Sequence, residues 1–298
     1  MLRFVNARLV APDGEARMVE STRNGWQRFW DKGGWWRPFL LAIAYLVVFN
    51  LISLTTSTLF GGFIDVENPT GSASSVFFAL VLPILLTGIL LFLFVVSLGW
   101  TKEIFGRQPG RGSGWMWIAV VIVVIPILLR VFATEWSAYT IGTVLTTLLL
   151  GLCIGFAEEL ISRGVAVDLL RRGGFGERAV MLLSSAVFAL LHTTNLLSGQ
   201  PPLTVAITVV YAFGFGVMMY LVLRVTGSII WPMLLHAATD PTTILATGGV
   251  DTHGESAGAA GLIGIAGIFN YLYLVLAIVA IFLVKGKLAP DRSTGTVT

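Results

Sequence analysis

The sequence predicts an all-α, polytopic membrane protein with about eight transmembrane helices. Hydrophobic residues make up 56% of the 298 residues and charged residues only 12%, and the mean hydropathy is +0.86. A soluble domain normally carries about 25% charged residues. The chain also contains a series of apolar segments near the roughly 20 residues that a helix needs to cross the hydrocarbon core. This combination excludes an ordinary soluble enzyme.

Eight segments fit this requirement, and we expect each to form one helix. In chain order they cover about residues 38–60, 76–98, 115–133, 140–160, 178–198, 203–224, 228–245 and 259–284. The fourth and the seventh are the least hydrophobic, because they contain the charged residues. We therefore expect a membrane domain at 38–285, an N-terminal arm at 1–37 and a polar tail at 286–298.

The arm is too short and too poor in aliphatic residues to bury a core of its own. It carries four tryptophans just before the first segment, Trp26, Trp30, Trp35 and Trp36. Because tryptophan prefers the membrane–water interface, we expect these rings to form an interfacial belt. The single cysteine, Cys153, excludes an internal disulfide and a multi-cysteine metal site.

The basic residues predict the orientation. Eighteen of the 19 Lys and Arg residues lie in the arm, the tail and alternate loops, and the intervening loops contain none. The positive-inside rule then places both termini in the cytoplasm of a multi-pass protein of the cell membrane. The nineteenth, Arg130, lies near the outer end of the third segment. We expect it to extend to the membrane surface, with a partner among the buried acids as the alternative.

The fourth segment ends in two adjacent glutamates, Glu158 and Glu159, with Arg163 four residues after the second. Consecutive residues point about 100° apart on a helix, so the two carboxylates cannot have the same role. Glu159 and Arg163 share a face in the favourable order for an ion pair. Glu158 is then free for chemistry; the alternative is that both glutamates are solvated at the interface. Residues 161–172 either continue this helix into the cytoplasm or lie in the interface as an amphipathic piece.

Two later segments each carry a histidine. Phe188 and His192 are four residues apart, so the phenyl ring can support the imidazole; a simple packing histidine is the alternative. His236 and Asp240 share one face of the seventh segment. This spacing suits a hydrogen-bonded pair or two metal ligands. Ionisable residues inside membrane segments are costly, which makes these groups candidates for function.

Together the motifs resemble the CPBP intramembrane proteases, also known as the Abi or CAAX-protease-like group. That family has EExxxR, FxxxH and HxxxN or HxxxD, which read here as EELISR at 158–163, FALLH at 188–192 and HAATD at 236–240. Asn195, three residues after the second motif, is also typical. The resemblance covers about residues 140–245. It implies an eight-helix fold with a polar cavity facing the cytoplasm.

The resemblance also implies roles for the site residues. Glu158 and His192 would activate a water, while His236 with Asp240 would stabilise the oxyanion. Where many relatives have Asn, this chain has Asp240, and an ionised carboxylate cannot donate a hydrogen bond. Asp240 is therefore protonated, or orients a charged His236, or binds a metal. We favour the metal-free scheme without a cofactor; zinc held by Glu158, His192, His236 and Asp240 is the alternative.

The sequence thus predicts an intramembrane endopeptidase that acts on a peptide or membrane-protein substrate in the lipid bilayer, with no nucleic-acid partner. A non-catalytic immunity or scaffold protein is one alternative, against which the complete set of site residues argues. A transporter is another, but no internal repeat is present. Nothing in the sequence specifies a prenyl-binding groove or an oligomeric state.

Overall fold

A computed structural model describes residues 23–110, 112–248 and 259–288, and within these ranges the chain forms helices and no strands. The helices are α1 (Gly25–Asp31), α2 (Trp36–Phe60), α3 (Ala73–Leu98), α4 (Thr101–Phe105), α5 (Trp117–Ala133), α6 (Ile141–Arg172), α7 (Glu177–Leu191), α8 (Pro202–Thr226), α9 (Ile230–Thr247) and α10 (Ala260–Leu283). Two π-helical turns interrupt the regular winding, Phe77–Val81 in α3 and Leu160–Ala166 in α6. The all-α, multi-pass fold class is confirmed.

Seven of these helices are long and apolar enough to cross a membrane, and α9 is not among them. The sequence predicted eight spans, with α9 as the seventh. This helix has only 18 residues, and its polar side chains, including His236 and Asp240, lower its hydropathy. It nevertheless extends from one end of the bundle to the other. Gly227, just before α9, accepts a hydrogen bond from the Gln108 amide, and Gly248, just after α9, accepts one from the Thr70 hydroxyl. An eighth crossing by α9 stays a prediction.

The helix bundle has two distinct ends. At one, which we call the basic end, Arg171 and Arg224 both pair with Glu177, at 2.8 and 2.7 Å, and so join α6, α8 and α7. Nearby, Arg172 pairs with Asp31. At the other, which we call the opposite end, the Tyr139 hydroxyl donates to the carbonyl oxygen of Leu245. The structure thus places the predicted basic loops together, which is what the topology requires.

Two glycines let α9 pack closely on α6. A Cβ atom at Gly151 would lie 2.2 Å from Pro241 Cγ, and one at Gly155 would lie 2.5 Å from the carbonyl oxygen of Met233. Small residues four apart allow two helix backbones to approach within a membrane. This contact sets the distance between the acidic motif of α6 and His236 on α9.

One expectation about the cytoplasmic parts needs correction, and the structure decides between two alternatives for another. Trp30 does not belong to an interfacial belt: it is buried and packs edge-on against Phe94, whereas Trp26, Trp35 and Trp36 are exposed. The segment after Glu159 is not an amphipathic surface piece. It continues α6 as a helix whose residues 159–167 are all buried. Of the predicted arm and tail, residues 1–22 and 289–298 lie outside the described residues.

Candidate active site

Glu159 is the centre of the polar cluster. One of its oxygens, Oε1, accepts from Arg163 Nη1 at 3.1 Å and lies 2.9 Å from His236 Nδ1. The side chains of Glu159 and Arg163 are completely buried. The predicted ion pair between them is therefore present. The link to His236 was not predicted, and it joins the first motif to the third.

Arg163 extends this cluster to two further helices. Its Nη2 donates to the carbonyl oxygen of Gly216 at 2.9 Å, and its guanidinium carbon lies 4.4 Å from the centre of the Phe188 ring. A buried charge is tolerated only when it is paired and hydrogen-bonded. Arg163 meets this condition through its contacts with Glu159, Gly216 and Phe188, which connect α6, α8 and α7.

Phe188 separates the two site histidines. Its ring centre lies 5.2 Å from that of His192 and 5.5 Å from that of His236, with edge-on geometry in both cases. His192 directs Nδ1 to the carbonyl oxygen of Phe188, at 3.3 Å. If Nδ1 carries the proton in this contact, Nε2 has a free lone pair and can act as a base. The expected support of His192 by Phe188 is thus present in the structure.

His236 lies between two carboxylates. Glu159 contacts Nδ1, and Asp240 Oδ2 lies 3.5 Å from Nε2. The second distance exceeds that of a usual hydrogen bond. Nε2 is therefore not held in a close hydrogen bond by Asp240, and it can also donate to another acceptor. His236 is buried, whereas Asp240 is partly exposed.

Among the described residues, Glu158 forms no ion pair with Arg163 or His236, whereas Glu159 pairs with both; the 100° offset between consecutive residues accounts for this difference. Its Oε2 is buried and has no hydrogen-bond partner among the described residues. It interacts electrostatically with His192, His236 and Asp240, so the four predicted catalytic residues lie in one region. It also interacts with Tyr45 on α2. The sequence motifs did not include Tyr45. It is the only tyrosine in the first apolar segment, and this polar group in an apolar segment could have marked it as a candidate.

A cavity of about 340 Å³ adjoins this region. His192, His236 and Asp240 line it, together with Phe188; Glu158 does not. Arg130, which we expected to extend to the membrane surface, lines the same cavity and is buried. That expectation is wrong. Arg130 interacts electrostatically with Asp240, but it forms no ion pair with an acid among the described residues.

The position of the cavity bears on a further expectation, that of a cavity facing the cytoplasm. It reaches Thr247 at the end of α9 and Ile263 near the start of α10, both at the opposite end. His236, 11 residues before Thr247, lies about 16 Å deeper along α9. If the basic end is cytoplasmic, the cavity faces away from the cytoplasm, contrary to the prediction. The reason is that the acidic motif lies in the middle of a continuous 32-residue helix, not at its cytoplasmic end.

The remaining supporting residue, Asn195, lies in the 3₁₀ turn His192–Leu196 that follows α7. The neighbouring Thr194 exchanges hydrogen bonds with Asn50 on α2. This turn is thereby fixed to α2, which also carries Tyr45. As for the zinc alternative, no three His, Cys, Asp or Glu side chains within the described ranges are grouped so that they could hold a metal ion.

With this geometry in view, comparison with known proteins identifies the region. Residues 140–242 match the family described as type II CAAX prenyl endopeptidase Rce1-like. The match spans all three motifs and confirms, for this part of the chain, the predicted resemblance to the CPBP and CAAX protease family. No curated protein matches the chain.

Proposed function

We propose that this protein is an intramembrane endopeptidase that hydrolyses peptide bonds of a peptide or membrane-protein substrate. The family match supports a CAAX-type intramembrane protease in general. The observation that carries the proposal is the convergence of the three motifs. Glu159 joins His236, Phe188 lies between the two imidazoles, and Glu158 keeps a buried oxygen that has no hydrogen-bond partner within the described ranges.

In the proposed reaction Glu158 and His192 activate a water. The free oxygen of Glu158 accepts a proton from the water, and His192 Nε2 holds or shares that proton. The hydroxide attacks the scissile carbonyl carbon, whose oxygen then becomes negatively charged. The proton passes to the nitrogen of the leaving amine as the C–N bond breaks.

His236 stabilises the negative oxygen in this scheme. Its Nε2 is the donor, and Glu159 at Nδ1 fixes the plane of the ring. Asp240, at 3.5 Å from Nε2, orients the ring and favours a proton on that nitrogen. The four proposed catalytic residues are thus Glu158, His192, His236 and Asp240, supported by Glu159 and Arg163.

The test is a peptidase assay in proteoliposomes. Glu158→Gln removes the base but keeps the shape of the side chain, so activity should fall about 10²- to 10⁴-fold while expression and thermal stability stay unchanged. Glu135→Gln, at an exposed glutamate outside the site, is the matched control. Near-wild-type activity of Glu158→Gln would exclude it as the base. Wild-type protein without peptidase activity would instead favour the scaffold or immunity alternative.

A further inference from the structure

Three polar groups on the cavity wall have no partner in the protein. Arg130 Nη1, Tyr273 Oη and Thr208 Oγ1 are each buried without a hydrogen bond among the described residues. All three residues line the cavity that contains His192, His236 and Asp240. They are 8%, 3% and 5% exposed, so bulk solvent does not simply replace the missing partners.

Burying such groups without partners is costly, most of all for the guanidinium. The cost is tolerated when a ligand supplies the missing partner. Arg130 takes part in no ion pair among the described residues, although it interacts electrostatically with Asp240 and Tyr273. The protein therefore leaves a positive charge and two hydroxyl groups without protein partners, among the described residues, on side chains that line the cavity.

The three side chains come from three different helices. Arg130 lies on α5, Thr208 on α8 and Tyr273 on α10. Guanidinium and hydroxyl groups are all donors, and a planar carboxylate accepts two hydrogen bonds from arginine and has lone pairs left for hydroxyls. Arg130 and Tyr273 also lie outside the segment 140–242 that matches the family. These donors could thus bind a substrate group from parts of the chain that do not carry the catalytic motifs.

We propose that Arg130, Tyr273 and Thr208 form a subsite that binds a carboxylate of the substrate. The inference rests on the proposed peptidase function, since it places this group beside the reacting peptide. The carboxylate belongs either to the free C-terminus of a peptide or to an Asp or Glu side chain. In both cases substrates with that negative charge bind more tightly than their neutral counterparts.

The experiment measures binding, so that it does not depend on catalysis. Fluorescein-labelled octapeptides of randomised sequence are prepared as C-terminal acids and as C-terminal amides, and a third pool is amidated with glutamate at fixed positions. Binding to the purified full chain carrying Glu158→Gln is followed by fluorescence polarisation. We expect the acid pool, the glutamate pool or both to bind about 10- to 100-fold more tightly than the neutral amides.

Substitutions then assign the effect to the subsite. Arg130→Met should abolish the preference for the charged pool, and Arg130→Lys should restore part of it. Tyr273→Phe and Thr208→Val remove hydroxyls that have no hydrogen bond in the part of the chain that the structure describes. They should therefore weaken the binding of charged peptides several-fold and leave thermal stability unchanged.

Results that contradict the subsite differ from results that contradict the proposed peptidase reaction. Equal binding of charged and neutral pools to the parent protein would overturn the subsite. So would an unchanged preference in Tyr273→Phe and Thr208→Val, even if Arg130→Met failed to fold. A charge preference that depends on Arg130 in a protein without peptidase activity would support the subsite and refute only the proposed reaction.

Discussion

A single methyl group at Gly155 should separate activity from stability. In Gly155→Ala the new Cβ would lie 2.5 Å from the carbonyl oxygen of Met233 and 2.8 Å from the amide nitrogen of Ala237. Both are backbone atoms of α9 and cannot rotate away. Relief of the clash to an ordinary 3.4 Å contact requires a displacement of about 0.9 Å between the helices.

That displacement acts directly on the site. The bond between Glu159 and His236 measures 2.9 Å, and a shift of this size would take it beyond hydrogen-bond distance. A misplacement of about 1 Å in an active site can lower the rate about 100-fold. The helix itself should not suffer, because alanine is a better helix former than glycine by about 1 kcal/mol.

The assay compares peptidase rates in proteoliposomes with thermal unfolding in detergent. Gly142→Ala is the matched control: it lies on the same helix, and its Cβ would find only ordinary contacts, 3.5 Å from Ala73 Cβ and 3.7 Å from Thr140 Oγ1. We expect the control to behave like the parent. Full activity in Gly155→Ala would refute the reasoning that close packing of α9 on α6 sets the geometry of the site.

Three further predictions concern the buried ion pair, the dependence on metal and the orientation in the membrane. Glu159→Gln should lower the free energy of unfolding by about 3–5 kcal/mol, because it leaves the buried charge of Arg163 without its counter-ion; a thermal midpoint equal to that of the parent would contradict the structural role. Exhaustive chelation should leave activity intact, and Asp240→Asn should keep or raise it; activity that vanishes on chelation and returns with zinc, together with a dead Asp240→Asn variant, would establish the metal scheme. In a variant without the native cysteine, Ser198→Cys should react with a membrane-impermeant maleimide added outside cells, whereas Ser113→Cys should react only after the membrane is opened. The reverse labelling would place the basic end outside and the catalytic cavity on the cytoplasmic side.

The sequence by itself determined the fold class and the residues that are candidates for the chemistry. Low charge and repeated apolar segments indicate a helical membrane protein whatever the packing, because the bilayer permits few alternatives. The pair Glu159 and Arg163 followed from helical spacing, since residues four apart on one helix share a face. The different roles expected for Glu158 and Glu159 followed from the same geometry, because consecutive residues point about 100° apart on a helix.

The tertiary structure decided which helices meet and where the site lies. The link between Glu159 and His236 depends on two glycines whose close contact no local pattern reveals. Tyr45 and Arg130 come from segments without a motif. Their positions near Glu158 and Asp240 depend on the packing of helices that are far apart in sequence. The position of the cavity depends on how far α6 continues beyond the acidic motif. Hydropathy locates a helix in the chain, but it does not show which residues of one helix pack against which residues of another.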